Sequence, residues 1–333
     1  MVDALHHQFW GDELHAWGLV AGSANIAELF SNLHRDGHPG LWHLMLWSPS
    51  MLSLSPDGMR LVAVLSGVAI ITTIGIAAPF SLAEKLLLLS NYFIVFEYTV
   101  MARNYGIGLL LAMCYAIVRR KAPDRSLLIG LLLGLMAKTN VYAMFLAACL
   151  ALEYLWSQMA ADDWRIWPSL KRLLPGGILY VMLMLFSVWT IFPRADTGLF
   201  PRAFQDTDSS ILGRGAVAAL RALVAPFAPI DLSFPASFSS PGEFFQFGKR
   251  VLAMVALLPF ILAALWTVLR QDKRLPVVFA SMALIVTVFQ LVAYPAAIRH
   301  LGVMFIAFVA IWWLVRERVP ARSWPVLGLL LLG

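Results

Sequence analysis

The chain has 333 residues, of which 60% are apolar and only 13% are charged, and its formal net charge is +6. Soluble domains are about half apolar and about a quarter charged, so this composition excludes an ordinary soluble protein and predicts a polytopic membrane protein of all-α class. The basic excess is concentrated in loops between apolar runs, which indicates membrane topology and not nucleic-acid binding.

The first 43 residues are the most polar part of the chain, with six of its seven histidines and five of its nineteen acidic residues. Residues 11–33 show a helical pattern interrupted near Gly22, and residues 40–54 are apolar and aromatic. Neither stretch has the roughly 20 consecutive apolar residues that a membrane span needs. We therefore expect interfacial helices within an external first loop at residues 1–59.

Ten apolar runs follow, and about nine to ten of them are predicted to cross the membrane as a helical bundle over residues 60–333. The shorter runs can span only with flanking residues or local bilayer thinning. Because no apolar helix precedes the polar segment and the last run stops abruptly, we expect the chain to be a fragment. The runs are residues 60–78, 86–101, 105–118, 127–137, 141–156, 173–192, 251–269, 276–295, 301–315 and 324–333.

Basic residues cluster in alternate loops, at residues 119–125, 165–172, 270–274 and 316–322. By the positive-inside rule these loops are cytoplasmic. The segments predicted on the opposite, active face are residues 1–59, the turns at Arg103 and Lys138, the long loop 193–248, and the turn at Arg299 and His300. Long loops are usually functional or mobile, so we expect loop 193–248 to shape specificity.

The adjacent carboxylates Asp12 and Glu13 open the first helical segment. Acidic residues at a helix N-terminus interact favourably with the helix dipole, which gives the pair a purely structural interpretation. The alternative is that one of them is a general base at the membrane surface.

His34, Asp36 and His38 alternate along the chain before Pro39. Imidazole and carboxylate groups bind zinc or manganese, so the three residues are candidate ligands for a divalent metal. A surface turn before a proline accounts for Asp36 and Gly37 equally well.

Cationic residues recur on the predicted active face at Arg103, Lys138 and Arg299. A charge at a membrane edge is costly and suggests a function, although a lone arginine often extends towards lipid headgroups. Three such charges on one face favour an anionic, lipid-linked ligand.

These segments, taken together, resemble a known family. Residues 10–17 and 32–42 are similar to the first external loop of bacterial membrane glycosyltransferases of the GT-C superfamily, near the protein-mannosyltransferase and aminoarabinose-transferase group. Residues 102–105, 139–142 and 299–300 resemble later segments of that family. The likeness extends over most of the chain.

The resemblance implies a GT-C-like fold and an inverting transfer of a sugar from a polyprenyl-phosphate donor. Asp12 would be the base, with Glu13 orienting the site and Asp36 completing the catalytic group. The donor phosphate would be bound by Arg103, Tyr105, Lys138, Arg299 and His300. The acceptor pocket would include Trp10, His38 and Asn140.

The expected partners are the lipid-linked donor, membrane lipids and an acceptor that is a glycan, a lipid or a protein, without nucleic acid. A divalent metal is an open alternative. The expected location is the bacterial cytoplasmic membrane, with the site facing the periplasm or exterior. Two other functions fit the pattern: a transporter or flippase for a lipid-linked anion, and a non-catalytic subunit with the same fold. Since no internal repeat is evident and the charges gather at one face, an enzyme is favoured.

Overall fold

A computed structural model describes residues 6–34, 36–52, 55–192, 211–230, 240–293, 296–320 and 323–332. Within these ranges every regular element is a helix and none is a strand, which confirms the all-α class. The helices are α1 (Gly11–Ala21), α2 (Ile26–Leu33), α3 (Leu41–Met51), α4 (Asp57–Thr72), α5 (Leu82–Ser90), α6 (Tyr105–Lys121), α7 (Ser126–Ala137), α8 (Val141–Ala161), α9 (Ile166–Ile191), α10 (Ile211–Val224), α11 (Pro241–Leu269), α12 (Arg274–Val292), α13 (Ile298–Val315) and α14 (Trp324–Leu332). Short π-helical turns occur at Thr73–Ala77 and Phe93–Glu97, and a 3-10 turn at Arg316–Arg318.

Among the described residues, six helices are long and apolar enough to cross a membrane, namely Asp57–Ala77, Val141–Ala161, Ile166–Ile191, Pro241–Leu269, Arg274–Val292 and Ile298–Arg318. The chain is therefore an integral membrane protein. The other apolar runs form shorter elements: the 12-residue helix α7, the 17-residue helix α6 and the nine-residue helix α14. The run at 86–101 is divided between the end of α5 and the turn Phe93–Glu97.

The contacts divide the chain into two compact units. The first comprises Met1–Ala78 with Phe93–Phe200, and the second comprises Pro79–Tyr92 with Pro201–Gly333. The predicted division at residue 59 separates an external first loop from a transmembrane bundle. It stays a prediction.

In the first unit, the polar N-terminal segment packs on α4 and α6. The predicted break near Gly22 is present, because α1 ends at Ala21 and the Asn25 side chain caps α2 by accepting from the backbone N–H of Glu28. Aromatic and aliphatic side chains of α1 and α3 then join α4 and α6 in one apolar core, which consists of Ala16, Trp17, Val20, Leu29, Trp42, Leu46, Met59, Val62, Ala63, Ala102 and Ile107. This core fixes the first segment against the helices that carry the later polar turns.

The helices α7 and α9 cross with their backbones in contact. Gly130 of α7 faces Gly176 of α9, and a Cβ added at either glycine would overlap backbone atoms of the other helix. Small residues at such crossings are typical of membrane helices, because close backbone approach maximises van der Waals contact where lipid gives no hydrophobic driving force. The crossing holds the ends of α7 and α9 together, and both ends contact the first polar segment.

The second unit is built around α13, whose side chains are almost all buried. A buried ion pair joins Arg316, which follows α13, to Glu84 of α5 at 3.0 Å. Glu84 also accepts from the backbone N–H of Ser81 at 2.7 Å, so the same carboxylate caps α5. Phe80 stacks on Trp312 with ring centroids 4.1 Å apart. These contacts make the second unit a packed helical body of its own.

Candidate functional site

Glu13 lies in the first turn of α1 with its side chain completely buried. One carboxylate oxygen accepts from the backbone N–H of Trp10 at 2.7 Å and contacts the His7 imidazole at 2.9 Å. The other oxygen accepts from the backbone N–H of Ala102 at 2.6 Å. Both oxygens are thus occupied by donors of the chain itself, and Glu13 joins α1 to the turn before α6.

Asp12, the neighbouring carboxylate, points elsewhere and contacts Arg103. Its Oδ2 lies 3.2 Å from the Arg103 guanidinium, and its side chain is 55% exposed whereas that of Arg103 is only 10% exposed. The Glu13–Ala102 hydrogen bond holds the Arg103 turn beside α1, which brings this pair together. The predicted base and one predicted phosphate ligand therefore meet at one point.

Asp36 is the centre of a group of three imidazoles. His38 Nδ1 lies 2.8 Å from Asp36 Oδ2, His43 Nε2 lies 3.3 Å from the same oxygen, and His15 Nε2 lies 3.3 Å from Oδ1. The Asp36 and His43 side chains are buried, whereas those of His38 and His15 are 28% and 58% exposed. We call these four residues the histidine cluster.

The pKa values of Asp36 and His43 in the histidine cluster depend on burial and on the charges of neighbouring side chains. Burial would raise the pKa of Asp36, but the hydrogen bond from His38 and the charges of the neighbouring imidazoles outweigh it and hold the pKa of Asp36 well below its usual range. Burial lowers the pKa of His43 to about 4, against an opposing attraction from Asp36, and Arg103 also contributes to the lowering. At neutral pH the cluster therefore contains an ionised Asp36 and a neutral His43.

The turn that carries Asp36 and His38 is fixed by its backbone. Gly40 has a φ of +97°, which L-residues rarely adopt, and a Cβ there would lie 2.7 Å from Leu33 Cδ1. The backbone N–H of Leu41 donates to Lys138 O at 2.9 Å, and the Thr190 hydroxyl lies 3.4 Å from Pro39 O. The His-Pro turn is thus attached to the ends of α7 and α9.

Lys138 lies at the end of α7 and is only 4% exposed. Its Nζ lies 3.7 Å from the centroid of the Phe186 ring and 5.8 Å from that of Phe30, and it has no hydrogen-bond partner within the described part of the chain. Burial lowers the pKa of Lys138 to about 8. A cation–π contact stabilises the ammonium but leaves its hydrogen-bonding capacity unused.

Asn140, Tyr105 and Trp10 are further predicted site residues in the first unit. The Asn140 side chain accepts from the backbone N–H of Ala143 at 2.9 Å and so caps α8, while its Nδ2 lies 3.4 Å from Asn104 Oδ1. Tyr105 is buried, with its ring centroid 6.0 Å from the Arg103 guanidinium. Trp10 caps α1 and is 47% exposed. All three are therefore near the Arg103 and Lys138 turns or at the start of α1.

His34 is separated from the other two candidate metal ligands. Its Nδ1 lies 3.0 Å from Phe192 O, and its ring meets that of Trp189 edge-on at 4.7 Å. Across the described residues, no group of three or more His, Cys, Asp or Glu side chains is arranged to hold a metal ion. The three imidazoles of the histidine cluster are directed at Asp36 itself. The predicted set of His34, Asp36 and His38 is thus not brought together.

Arg299 and His300 belong to the second unit, where they open α13. His300 Nδ1 accepts from the backbone N–H of Ala297 at 2.9 Å, so it caps this helix. Their convergence with Arg103 and Lys138 stays a prediction. Of the loop 193–248, residues 193–210 and 231–239 lie outside the described residues.

Two members of the histidine cluster, His15 and His43, were missed as site residues by the sequence analysis. Helical spacing supplies a signal for His15, because residues three apart share a helix face and His15 follows Asp12 by that spacing. His43 gives no comparable signal, since its approach to Asp36 depends on the left-handed Gly40 at the start of α3.

Scans against protein-family models, characterised proteins and solved structures find no match for this chain.

Proposed function

We propose that the chain is a membrane glycosyltransferase that moves a sugar from a polyprenyl-phosphate donor to an acceptor, with inversion at the anomeric carbon. The observation that carries the proposal is the contact of Asp12 with Arg103 beside the histidine cluster. A membrane protein with acid–base groups and a fixed guanidinium at one place has what this reaction needs. The resemblance in residues 10–17 and 32–42 supplies the identity of the reaction.

The chemistry requires a cation for the leaving group and a base for the acceptor. A lipid phosphate leaves readily once its charge is neutralised, and the planar guanidinium of Arg103 suits two phosphate oxygens. Lys138, whose Nζ has hydrogen-bonding capacity to spare, is a second phosphate ligand in the proposal. Tyr105, whose ring lies 6.0 Å from the Arg103 guanidinium, belongs to the proposed donor site, and Asp12 is the base that the resemblance names.

The proposal includes a GT-C-like bundle of about nine to ten spans. Within the described ranges, six helices have the necessary length, and α6, with 17 apolar-rich residues, can span where the bilayer is locally thinned. Basic residues Arg119, Arg120 and Lys121 end α6, and by the positive-inside rule they support a cytoplasmic position for that end. The Arg103 turn at the other end of α6 would then face the periplasm or exterior of a bacterial cytoplasmic membrane.

The test is sugar transfer in membranes that contain the chain. A panel of tritium-labelled polyprenyl-phosphate hexoses and pentoses is supplied, and both label in new products and released polyprenyl phosphate are measured. We expect transfer by the wild type, and at low donor concentration at least a tenfold lower rate for Asp12→Asn and for Arg103→Ala at equal membrane expression. Arg103→Ala should raise the apparent KM for the donor.

The matched control is Arg165→Ala. Arg165 follows the end of α8 that is opposite the Lys138 turn, and its side chain is 73% exposed. A wild type that transfers no sugar from any donor but moves labelled donor lipid between leaflets would replace the proposal with a flippase. Transfer at the wild-type rate by both site variants would remove Asp12 and Arg103 from the function.

A further inference from the structure

The histidine cluster contains one imidazole whose two nitrogens have different surroundings. His38 Nδ1 lies 2.8 Å from the Asp36 carboxylate and 3.2 Å from the Asp36 carbonyl. Within the described ranges, His38 Nε2 has no hydrogen-bond partner, and the side chain is 28% exposed. A carboxylate and a carbonyl can only accept hydrogen bonds, so the hydrogen of the neutral ring lies on Nδ1 and Nε2 carries the free lone pair.

The surroundings leave His38 as the group in the cluster best placed to take a proton. His43 is buried, and burial keeps it neutral. His15 is more exposed and contacts Asp36 only at 3.3 Å, through its own Nε2. Asp12 is engaged by Arg103. A partly exposed imidazole that lies against a buried carboxylate is the arrangement of a general base and its positioning residue.

We propose that His38, oriented by Asp36, is the group that removes the proton of the acceptor, and that Asp12 holds Arg103 in place for the donor phosphate. This inference rests on the proposed transfer function and changes one assignment in it, the atom that receives the proton. It also names the acceptor class. A phosphate or carboxylate acceptor is already ionised near neutral pH and needs no base, so the acceptor is a group that still carries its proton, such as a hydroxyl group.

The acceptor O–H proton moves to His38 Nε2 while the acceptor oxygen bonds to the anomeric carbon. The bond from that carbon to the phosphate oxygen breaks, and its electron pair leaves with the phosphate. The resulting imidazolium is stabilised by the Asp36 carboxylate and returns its proton to solvent through the exposed part of the ring.

The kinetic test compares His38→Ala with its conservative control His6→Ala, which removes an exposed histidine outside the cluster. With saturating donor and a membrane extract as acceptor, we expect His38→Ala to lower kcat by about 10²- to 10⁴-fold with little change in donor KM. Added imidazole should restore kcat to His38→Ala in a saturable way, because it replaces the missing base. Asp12→Asn should raise donor KM and gain nothing from imidazole.

Asp36→Asn tests the positioning role. Asparagine keeps the backbone carbonyl beside Nδ1 but removes the carboxylate charge that stabilises the imidazolium, so the variant should lower kcat. Histidine ¹⁵N NMR of the detergent-purified protein reads the His38 tautomer without any substrate, with the His38 signal assigned by its loss in His38→Ala. We expect the Nδ1–H tautomer in the wild type.

Three results would overturn the inference: a kcat for His38→Ala within about twofold of wild type, loss of kcat without rescue by imidazole, or an Nε2–H tautomer in the wild type. In each case, transfer by the wild type would leave the proposed function standing. A wild type without transfer would remove the proposed function instead.

Discussion

Glu13 and Ala102 are joined by a 2.6 Å hydrogen bond between residues 89 positions apart. The Glu13 carboxylate therefore connects α1 to the turn that carries Arg103, and the contact of Asp12 with Arg103 depends on it. Of two adjacent acidic residues, one is buried and holds the backbone, and the other is more than half exposed and faces the guanidinium.

This difference predicts a larger loss of stability for one of two isosteric amide variants than for the other. Glu13→Gln replaces one of two acceptor oxygens by an N–H₂ group, which would face a backbone N–H that already donates. We expect a loss of about 2–4 kcal/mol, seen as a lower Tm in detergent. Asp12→Asn breaks only a partly exposed ion pair and should cost less than about 1 kcal/mol. Equal Tm values for the two variants would contradict the assigned roles.

The pKa of His43 predicts a dependence of stability on pH. Burial lowers this pKa from 6.5 to about 4, so as pH falls below 6.5 the unfolded chain takes up a proton that the folded chain does not. The neutral His43 ring contributes fully to the free energy of unfolding above pH 6.5, and this contribution is lost as the pH falls towards 4. Between pH 6.5 and 5 the loss is about 2 kcal/mol.

The measurement for this prediction is Tm at several pH values for the wild type, His43→Gln and the exposed control His6→Gln. Above pH 5 the Asp36 carboxylate stays ionised, since its pKa lies well below its usual range, and so it does not contribute to the slope. We expect a shallower slope for His43→Gln alone. Parallel curves for all three proteins would contradict the assignment to His43.

The sequence predicts the helical class and the break at Gly22, which the structure confirms, and it selects Asp12, Asp36, His38 and Arg103 as candidate site residues, which stays a prediction. These predictions depend on local patterns, which a sequence displays directly. The opposite orientations of Asp12 and Glu13 depend on a contact with Ala102, and the approach of His43 to Asp36 depends on a left-handed glycine. Such long-range and backbone-specific contacts have no periodic signal, so these two features could not be predicted.

The candidate phosphate ligands illustrate the same limit. Their shared positive charge predicts one function for Arg103 and Lys138, but the structure gives them different neighbours. Arg103 lies against a carboxylate, whereas Lys138 lies against two aromatic rings. Arg103 meets Asp12 because of the Glu13–Ala102 hydrogen bond, and Lys138 meets Phe186 because α7 crosses α9. Neither contact is visible as a local pattern.

The crossing of α7 and α9 predicts different effects for two adjacent glycines. A methyl group at Gly176 would overlap the α7 backbone, whereas a Cβ at Gly177 meets no atom within 4 Å. We expect Gly176→Ala to cost about 1–3 kcal/mol, because the helices must separate. Gly177→Ala should be neutral or stabilising by up to about 1 kcal/mol, since alanine favours the helix. Tm and membrane expression measure both, and a lower Tm for Gly177→Ala than for Gly176→Ala would contradict the packing.

Lys138→Met tests whether the buried ammonium serves function at a cost in stability. Burial lowers the pKa of Lys138 from 10.5 to about 8, which disfavours its charged form at pH 7, so the apolar isostere should raise stability by about 2 kcal/mol. Because Lys138 stays protonated in the unfolded chain up to about pH 10.5, the stability advantage of Lys138→Met should shrink as pH rises above 8.

Lys138→Met should also raise the donor KM, because a proposed phosphate ligand is lost. Lys121→Met, at an exposed position, is the control and should change neither quantity. A lower Tm with unchanged donor KM would make Lys138 a structural residue stabilised by Phe186 and Phe30.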